Sequence, residues 1–448
     1  MDESLYRLVS LAGFFLVACM AWATGSRQKI NTKTIIGSMA LAWVLGALTF
    51  WVPWSRTALH WVNNMLLAVL TASQKGALFL FGPLAIGPGK VLPDGTPSIG
   101  FILAFQVLPS VTFFSAIISG LYYLGIMQAV VRFFARIFYR LLALSGVESL
   151  SAAANIFVGI ESSLTIRPYL MKMTRSELLT LMTCMMATVA STVMGIYVIA
   201  LHNIFPEIAG HLVSASLISI PCAVIASKLS LPEQEIPETL EKLPQTENDP
   251  RRPDNFMVAL VEGGTQGVKM AVGIATVLIV VLGLEALVDL ALAEGFGKNF
   301  SLQNLLGWLT LPFSVLLGLQ QEEWQLAGKI LGSRFVETEV SAYFSLAAAQ
   351  VADPAPFSQR SVTILTYALC GFVHFASMGI FIGGLTALVP SRAHDITVMG
   401  GRSLWTAFLA TVLTGCIAGA LVISWTSNEK CLQVETFPRE RVMVSRLR

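Results

Sequence analysis

Charged residues are scarce in this chain of 448 residues. Asp, Glu, Lys and Arg together make up 12% of the sequence, against 55% hydrophobic residues. Soluble globular domains carry about 25% charged residues, and here the apolar residues form long runs instead of following the spacing of an amphipathic helix. Because such runs need an apolar solvent, the composition indicates an integral membrane protein.

Other features are missing as well. The net charge is only +2, so no nucleic acid or other polyanion is expected as a partner. The six cysteines stand singly, with no CxxC pair and no metal-ligand spacing, and are interpreted as small buried hydrophobic residues. No Ser-His-Asp pattern, pair of catalytic acids or phosphate-binding glycine loop occurs, so an enzyme is not predicted. Asp2 and Glu3 stand where a signal peptide would be basic, which indicates a retained first span.

Eight apolar runs are each long enough to cross the hydrocarbon core, which takes about 20 residues. They are 8–24, 33–52, 101–130, 178–201, 208–228, 268–293, 363–388 and 403–425. A further run, 58–83, holds Asn63, Asn64, Gln74 and Lys75 and is interpreted as a helix at the membrane surface or packed obliquely. The sequence therefore predicts an all-α membrane protein of about eight transmembrane helices.

Two segments, 149–170 and 320–350, are too polar for ordinary spans. The first contains Glu161, and the second contains Glu337 and Glu339. Each is followed by two long spans, and the number of spans between the copies predicts opposite orientations in the membrane. Discontinuous helices in an inverted repeat are typical of secondary transporters, where irregular backbone lines an enclosed cavity near the midplane. We therefore expect two re-entrant helical hairpins, with Glu337 exposed at the edge of the second.

These patterns divide the chain into six parts. Scaffold helices and the surface helix occupy 1–100, the first transport repeat 101–228 and a hydrophilic linker 229–255. A scaffold span with a connecting helix occupies 256–318, the second transport repeat 319–425 and a polar tail 426–448. Intramembrane carboxylates are costly and mark functional sites, so the chemistry is expected in the two repeats.

Six motifs follow one another in a fixed order between about residues 100 and 425. They read FQVLPSVTFFSAIISGLYYLGIMQ, SLSAAANIFVG, IRPYLMKMTRSEL, VEGGTQGVKMA, LAGKILGSRF and ALCGFVHFASMGIFIGG. Together they resemble the concentrative nucleoside transporters, which are cation-coupled nucleoside symporters. The resemblance implies a homotrimer in the inner (plasma) membrane that takes up nucleosides, with Na⁺ favoured over H⁺ as the coupling ion.

The resemblance also implies a sodium site at the first hairpin. Its matching residues are Asn155, Val158, Thr188 and Val189. The two polar side chains would bind the ion together with backbone carbonyls, which a broken helix sets free. The alternative is that Asn155 only caps or cross-links the broken helix.

The base-binding end differs from the family pattern. Where the family has glycine-glutamine-threonine-glutamate-alanine-proline, this chain reads Gly159-Ile160-Glu161-Ser162-Ser163-Leu164, so the glutamine-threonine pair is missing. Glu161 and Ser162 are the candidate contacts that remain, and Val193 matches a position beside the base. Alternatively, Glu161 is a helix-tip carboxylate bound by backbone N–H groups, and Val193 is only a packing residue.

The sugar-binding end is closer to the pattern. Thr338-Glu339 matches an asparagine-glutamate pair whose carboxylate binds ribose hydroxyls, and His374 and Ser377 match an asparagine and a serine that also hold the ribose. We expect His374 to face Glu339 in a pair that favours the charged imidazole, and the sugar specificity to be narrow.

Phe372 and Phe375 flank His374, and one of them is a candidate to stack on the base. Other functions stay open at this point. They are a proton-coupled symporter of a modified nucleoside or similar solute, a non-transporting receptor on the same fold and, with less support, an intramembrane enzyme.

Overall fold

The computed structural model describes residues 3–87, 90–92, 95–157, 159, 162, 166–202, 204–240, 253–297, 301–352 and 354–422. Regular structure in these residues is helical, apart from an isolated bridge between Val91 and Pro97. Glu161 and Val158, two of the expected site residues, lie outside the described residues.

In the described residues, seven α-helices precede the first broken span. They are α1 (Glu3–Ala23), α2 (Thr32–Trp51), α3 (Pro53–Phe81), α4 (Leu103–Gln106), α5 (Leu108–Tyr123), α6 (Ile126–Leu142) and α7 (Gly146–Ala154). The predicted run 101–130 is therefore interrupted at Gly125, which has φ 79°. That left-handed conformation suits glycine, and it separates α5 from the amphipathic helix α6.

Ten helices complete the described part of the chain. They are α8 (Arg175–Ala187), α9 (Ser191–Leu201), α10 (Ile208–Ser230), α11 (Phe256–Phe296), α12 (Leu302–Leu316), α13 (Trp324–Ser333), α14 (Glu339–Gln350), α15 (Gln359–Leu369), α16 (Phe375–Leu388) and α17 (Ala393–Leu421). The helices α13 and α14 are joined by five residues and lie where the second hairpin is expected, and its re-entrant placement in the membrane stays a prediction.

Eight segments of the described residues are long and apolar enough to cross a membrane, as the sequence predicts. They are Glu3–Ala23, Thr32–Trp51, Thr57–Ala85, Leu103–Tyr123, Arg175–Leu201, Ile208–Ser230, Phe256–Gly295 and Pro390–Leu421. The set of observed spans differs from the set of predicted spans in one place. The run 58–83 qualifies by length and composition, whereas the predicted span 363–388 does not, because its helix stops at Leu369 and restarts at Phe375.

The two spans that follow the hairpins are both broken. The first is interrupted by Thr188–Ala190, between α8 and α9, and the second by Cys370–His374, between α15 and α16. At each break the first amide of the new helix donates to a hairpin turn: Ser191 N to Phe157 O, and Phe375 N to Phe335 O, both at 3.0 Å. The hairpin turns thus bind backbone groups that the breaks set free.

The starts of the hairpins are also tied to the starts of the broken spans. In the first copy, Ser145 caps α7 and its hydroxyl donates to Glu177, in the first turn of α8, at 2.5 Å. In the second, Glu323 accepts from the Ser358 amide at 2.8 Å and the Ser361 hydroxyl at 2.5 Å, at the start of α15. The same construction occurs twice, which agrees with an internal repeat. The opposite orientation of the copies stays a prediction.

The first part of the predicted linker packs against the first hairpin. Thr239 accepts from the Gly146 and Val147 amides at 2.9 and 3.1 Å, at the start of α7. Beside it, Lys172 and Glu238 form an exposed ion pair at 2.6 Å, and this hydrogen bond and the carboxylate's charge raise the pKa of Lys172. The first residues of the linker therefore pack against the N-terminal end of α7, where the first hairpin begins.

The core lies around α8, α10 and α17. In the most apolar stretch of α17, 89% of the residues are buried, whereas in that of α11 only 11% of the residues are buried. Apolar side chains that a helix leaves exposed on this scale face lipid or another chain. Of the described cysteines, Cys184, Cys222, Cys370 and Cys416 are buried as expected, but Cys19 is exposed on α1.

The two breaks lie against each other. A Cβ atom built at Gly371 would lie 2.9 Å from the Met186 carbonyl oxygen and 3.0 Å from the Ala187 carbonyl carbon. Glycine therefore lets the second break approach the backbone at the end of α8. This contact brings the two repeats together at the level of their irregular backbone.

Candidate functional site

A buried carboxylate, Glu339, lies at the centre of the site. It is the first residue of α14 and only 3% exposed, and an acidic side chain there is stabilised by the helix dipole. Its Oε1 accepts from the Tyr197 hydroxyl at 2.8 Å, and its Oε2 lies 2.9 Å from His374 Nε2. Tyr197 belongs to α9 of the first repeat, so Glu339 joins the two repeats.

His374 caps the helix α16. Its Nδ1 accepts from the Ser377 amide at 3.0 Å, so that nitrogen carries no hydrogen. The hydrogen of the neutral ring is then on Nε2, which points at Glu339. A second proton would break the cap and place positive charge at a helix N-terminus. The expected His374–Glu339 pair is present, with Nε2 facing the carboxylate, and the charge expected on the imidazole stays a prediction.

The Ser377 side chain hydrogen-bonds to backbone groups of the same N-terminal cap. Its hydroxyl lies 2.5 Å from the Phe372 carbonyl oxygen and 2.8 Å from that of His374. A hydroxyl has one hydrogen to donate, and here both acceptors are backbone groups of the break. Phe372 is half-buried beside them, while Phe375 is 55% exposed at the start of α16.

The opposite end of the second break is bound by a buried arginine. Arg334, in the turn of the second hairpin, is 0% exposed. Its guanidinium donates to the Ala368 carbonyl and to the Thr411 hydroxyl, and lies 5.4 Å from the centre of the Phe408 ring. Because Ala368 is near the end of α15, the positive charge is favourable against that helix's C-terminal carbonyls.

The two residues that precede Glu339, Thr338 and Glu337, are buried as well. Thr338 is 5% exposed, its hydroxyl has no partner, and its φ of 125° is a conformation that β-branched residues rarely adopt. Glu337 was expected to be exposed, which is wrong: it is 2% exposed and accepts from Gln303 and Ser341. Helix α12, which carries Gln303, covers the hairpin edge there.

The first break has oxygen atoms but no charged side chain among its described residues. Asn155 is 0% exposed, and its Oδ1 accepts from the Ser162 hydroxyl at 2.7 Å. The Thr188 hydroxyl donates to the Cys184 carbonyl at 2.9 Å. The Ser162 and Thr188 hydroxyls each donate their hydrogen to another protein atom, so their oxygen lone pairs stay available. Such lone pairs are what a cation requires.

The remaining expected residues of this end are apolar. Val189 is 0% exposed and lies within the break, so it contributes a backbone carbonyl, while Val193 is 3% exposed on α9. Four of the expected residues, Glu339, His374, Ser377 and Phe372, are thus gathered at the second break. Asn155, Ser162, Thr188 and Val189 are gathered at the first.

Comparisons with known proteins agree with this architecture. The family model "Na+ dependent nucleoside transporter C-terminus" matches residues 211–419, the corresponding N-terminus model residues 12–84, and "Nucleoside recognition" residues 104–203. The solved "Structure of CNTnw in an inward-facing substrate-bound state" has a TM-score of 0.84 and 30% identity, over 93% of this chain and 98% of that one.

Full-length relatives decide the family. An "Uncharacterized transporter" of Haemophilus influenzae is 33% identical over 91% of this chain and 95% of its own, and the "Putative nucleoside permease NupX" of Escherichia coli is 30% identical over 92% and 98%. This chain belongs to the concentrative nucleoside transporter family. The rat "Solute carrier family 28 member 3" is 33% identical over 93% of this chain, which spans 59% of that longer protein.

Membership in this family confirms the class predicted from the sequence. The chain is a multi-pass membrane protein of the nucleoside transporters, and the family's members are transporters rather than enzymes. Two residues that contact the second break or its carboxylate, Arg334 and Tyr197, were not among the expected site residues. Tyr197 is one aromatic residue in an apolar span and gives no signal, whereas a charge such as Arg334 between two apolar helices is a recognisable signal.

Proposed function

We propose that this transporter is a symporter that couples inward movement of a nucleoside to a sodium ion. The observation that carries the proposal is the division between the two breaks. One supplies neutral oxygens, whereas the other holds a carboxylate between Tyr197 and His374. The first suits a small cation, and the second suits a neutral solute that donates hydroxyl hydrogens.

The sugar is bound at the second break. A carboxylate has about four lone-pair sites. Tyr197 uses one on Oε1 of Glu339, and His374 Nε2 lies 2.9 Å from Oε2 without forming a hydrogen bond of normal geometry. One site on each oxygen remains for two adjacent sugar hydroxyls, whose hydrogen bonds to a charged acceptor are stronger than neutral ones. The unpartnered hydroxyl of Thr338 adds a further polar contact beside them.

The base lies toward the first hairpin. Val193 lies one turn before Tyr197 on α9, and Glu161, Ser162, Phe372 and Phe375 are the other proposed contacts. A carboxylate and exposed aromatic faces can bind a base by hydrogen bonding and stacking. Because the family's glutamine-threonine pair is absent here, the preference among bases is expected to differ from that of relatives.

Sodium is bound at the first break, by the Asn155 and Thr188 side chains with the Val158, Thr188 and Val189 carbonyls. Their hydroxyl and carbonyl chemistry fits a hard cation. A proton is the alternative coupling ion, and a protonated His374 would be its carrier. The Ser377 amide bound to Nδ1 opposes that role.

Transport requires the buried site to open. Glu339 is 3% exposed, so solute reaches it only when the hairpins and their broken spans move against the scaffold. We propose that these elements move as one unit within each subunit of a homotrimer in the inner membrane. The exposed apolar surface of α11 supports such an assembly.

Uptake into proteoliposomes tests the proposal. Radiolabelled nucleosides are offered with an inward sodium gradient, with choline replacing sodium, and with the proton gradient collapsed at fixed pH. Accumulation above equilibrium with sodium but not with choline is the expected result. Accumulation that ignores sodium and stops when the proton gradient collapses assigns a proton instead, and substrate-induced stabilisation without any accumulation assigns a receptor.

A further inference from the structure

The groups that would hold the sugar are not equally free. His374 Nε2 lies 2.9 Å from Glu339 Oε2, a close contact without hydrogen-bond geometry, and Nδ1 accepts from the Ser377 amide. A neutral imidazole has no other hydrogen-bonding nitrogen. Ser377 donates its hydroxyl to the backbone of the same cap. Of the three side chains expected around the sugar, only Glu339 keeps strong acceptor sites.

Tyr197 completes this arrangement from the other repeat. Its ring is 0% exposed and packs 4.7 Å, centre to centre, from that of Tyr343. Such packing fixes the ring, so its hydroxyl acts as a rigid donor to Glu339 Oε1. With His374 Nε2 in close contact with Oε2 at 2.9 Å, the carboxylate is held between two side chains that need not touch solute.

We propose that Tyr197 and His374 are positioning residues, and that of Glu339, His374 and Ser377 only Glu339 binds the sugar hydroxyls in this chain. The inference rests on the proposed function and names the specificity of that same site. The sequence predicts a narrow sugar specificity. The inference predicts a smaller loss of affinity for sugars that lack one hydroxyl, because each missing hydroxyl removes a single bond to Glu339. Loss of one charge-assisted hydrogen bond lowers affinity roughly tenfold to a hundredfold.

Affinity ratios distinguish positioning from direct contact. Binding of a ribonucleoside and of its 2′-deoxy and 3′-deoxy analogues is measured on the purified full-length chain in sodium, for the wild type, Tyr197→Phe and His374→Ala. A positioning residue acts on every sugar through Glu339. Both variants are therefore expected to weaken all three ligands by a similar factor, roughly three- to tenfold, and to leave the ratios within about twofold.

A His374 that binds the sugar gives another result. The ribonucleoside then loses more affinity in His374→Ala than the analogue lacking the contacted hydroxyl, the ratio falls, and the inference is wrong. His374→Asn sharpens the test, because asparagine is a good N-cap for Ser377 and its amide is too short to replace Nε2 at Glu339. Its free amide is expected to raise discrimination severalfold.

A double-mutant cycle separates positioning from a general loss of stability. If Tyr197 acts through Glu339, then Tyr197→Phe has little further effect in a Glu339→Gln background. Additive losses in the double variant contradict the inference. Tyr367→Phe is the matched control, since it removes another fully buried hydroxyl, whose partner is His211 at 3.1 Å.

The wild type separates this inference from the proposed function. If it binds no nucleoside, both fail. If it binds nucleosides but the His374→Ala ratio falls, only the positioning roles fail.

Discussion

The two broken spans satisfy their free backbone groups with different chemistry. Each break sets free backbone groups that cannot reach water inside a membrane. At the second, Arg334 supplies a permanent positive charge to the end of α15, and the Glu339–His374 pair lies at the start of α16. At the first, the described residues offer hydroxyl, amide and carbonyl oxygens without a built-in cation.

This difference suggests why the two copies have separate roles. Where a guanidinium already occupies the carbonyl end of a broken helix, no room or need remains for an inorganic cation. The copy without a guanidinium leaves its oxygens for an ion. The carboxylate of the second copy, neutralised in part by Arg334 nearby, is then free to bind an uncharged solute.

The largest effect is expected from Arg334→Met, which removes the built-in cation and keeps an unbranched apolar side chain. The Ala368 carbonyl and Thr411 hydroxyl lose their donor, and Glu339 loses a nearby positive charge. Removing one member of a buried charged network costs about 3–5 kcal/mol. Thermal unfolding of the purified protein in detergent measures the loss, and Arg334→Lys is expected to recover part of it. A Met variant that melts like the wild type contradicts the role given to Arg334.

Glu339→Gln follows, because it removes the negative charge at nearly unchanged volume. The amide keeps one oxygen acceptor but no longer offers two charged ones, so kcat/KM for nucleoside uptake is expected to fall about 100-fold, or about 3 kcal/mol. Glu337→Gln is the control, a buried carboxylate on the same hairpin that bonds to Gln303 and Ser341 instead. Equal losses in both variants would assign the effect to the hairpin rather than to the sugar site.

Gly371→Ala tests the contact between the breaks. The new methyl group would approach the Met186 carbonyl to 2.9 Å, and overpacking of this kind costs about 1–3 kcal/mol. The expected result is a lower unfolding temperature with reduced uptake. Gly379→Ala, on α16 with no atom within 4 Å of the added carbon, is expected to behave like the wild type. If the two variants match, the breaks are not in close contact.

The smallest effect is expected from Thr188→Val, which keeps the shape and removes one oxygen. The sodium concentration for half-maximal uptake should rise about tenfold, which corresponds to about 1.4 kcal/mol. Thr183→Val on the preceding helix α8, whose hydroxyl pairs with Thr406 at 2.7 Å, serves as control. Sodium dependence that is unchanged in Thr188→Val removes this residue from the cation site.

Much of the architecture could be predicted from the sequence, but the breaks could not. Hydropathy predicts a span wherever about 20 apolar residues occur together, and neither Thr188–Ala190 nor Cys370–His374 contains proline. Both interruptions depend on tertiary partners, the Phe157 and Phe335 carbonyls, that no local pattern reveals. For that reason 363–388 was predicted as a single uninterrupted span.

The candidate site shows the same limit. Glu339 and His374 were recognisable because polar residues are rare and costly inside a membrane. Their partner Tyr197 was not, because an aromatic residue in an apolar helix usually only packs. The exposure predicted for Glu337 failed because the covering residue, Gln303, lies on a helix distant in sequence.

Sodium-dependent nucleoside binding in two variants tests the division between the breaks most directly. Nucleoside affinity is measured across sodium concentrations for Thr188→Val and Glu339→Gln in purified protein. Thr188→Val is predicted to shift the sodium dependence while leaving nucleoside affinity at saturating sodium unchanged, and Glu339→Gln to lower nucleoside affinity at every sodium concentration. If Glu339→Gln shifts the sodium dependence and Thr188→Val does not, the roles of the two breaks have been assigned wrongly.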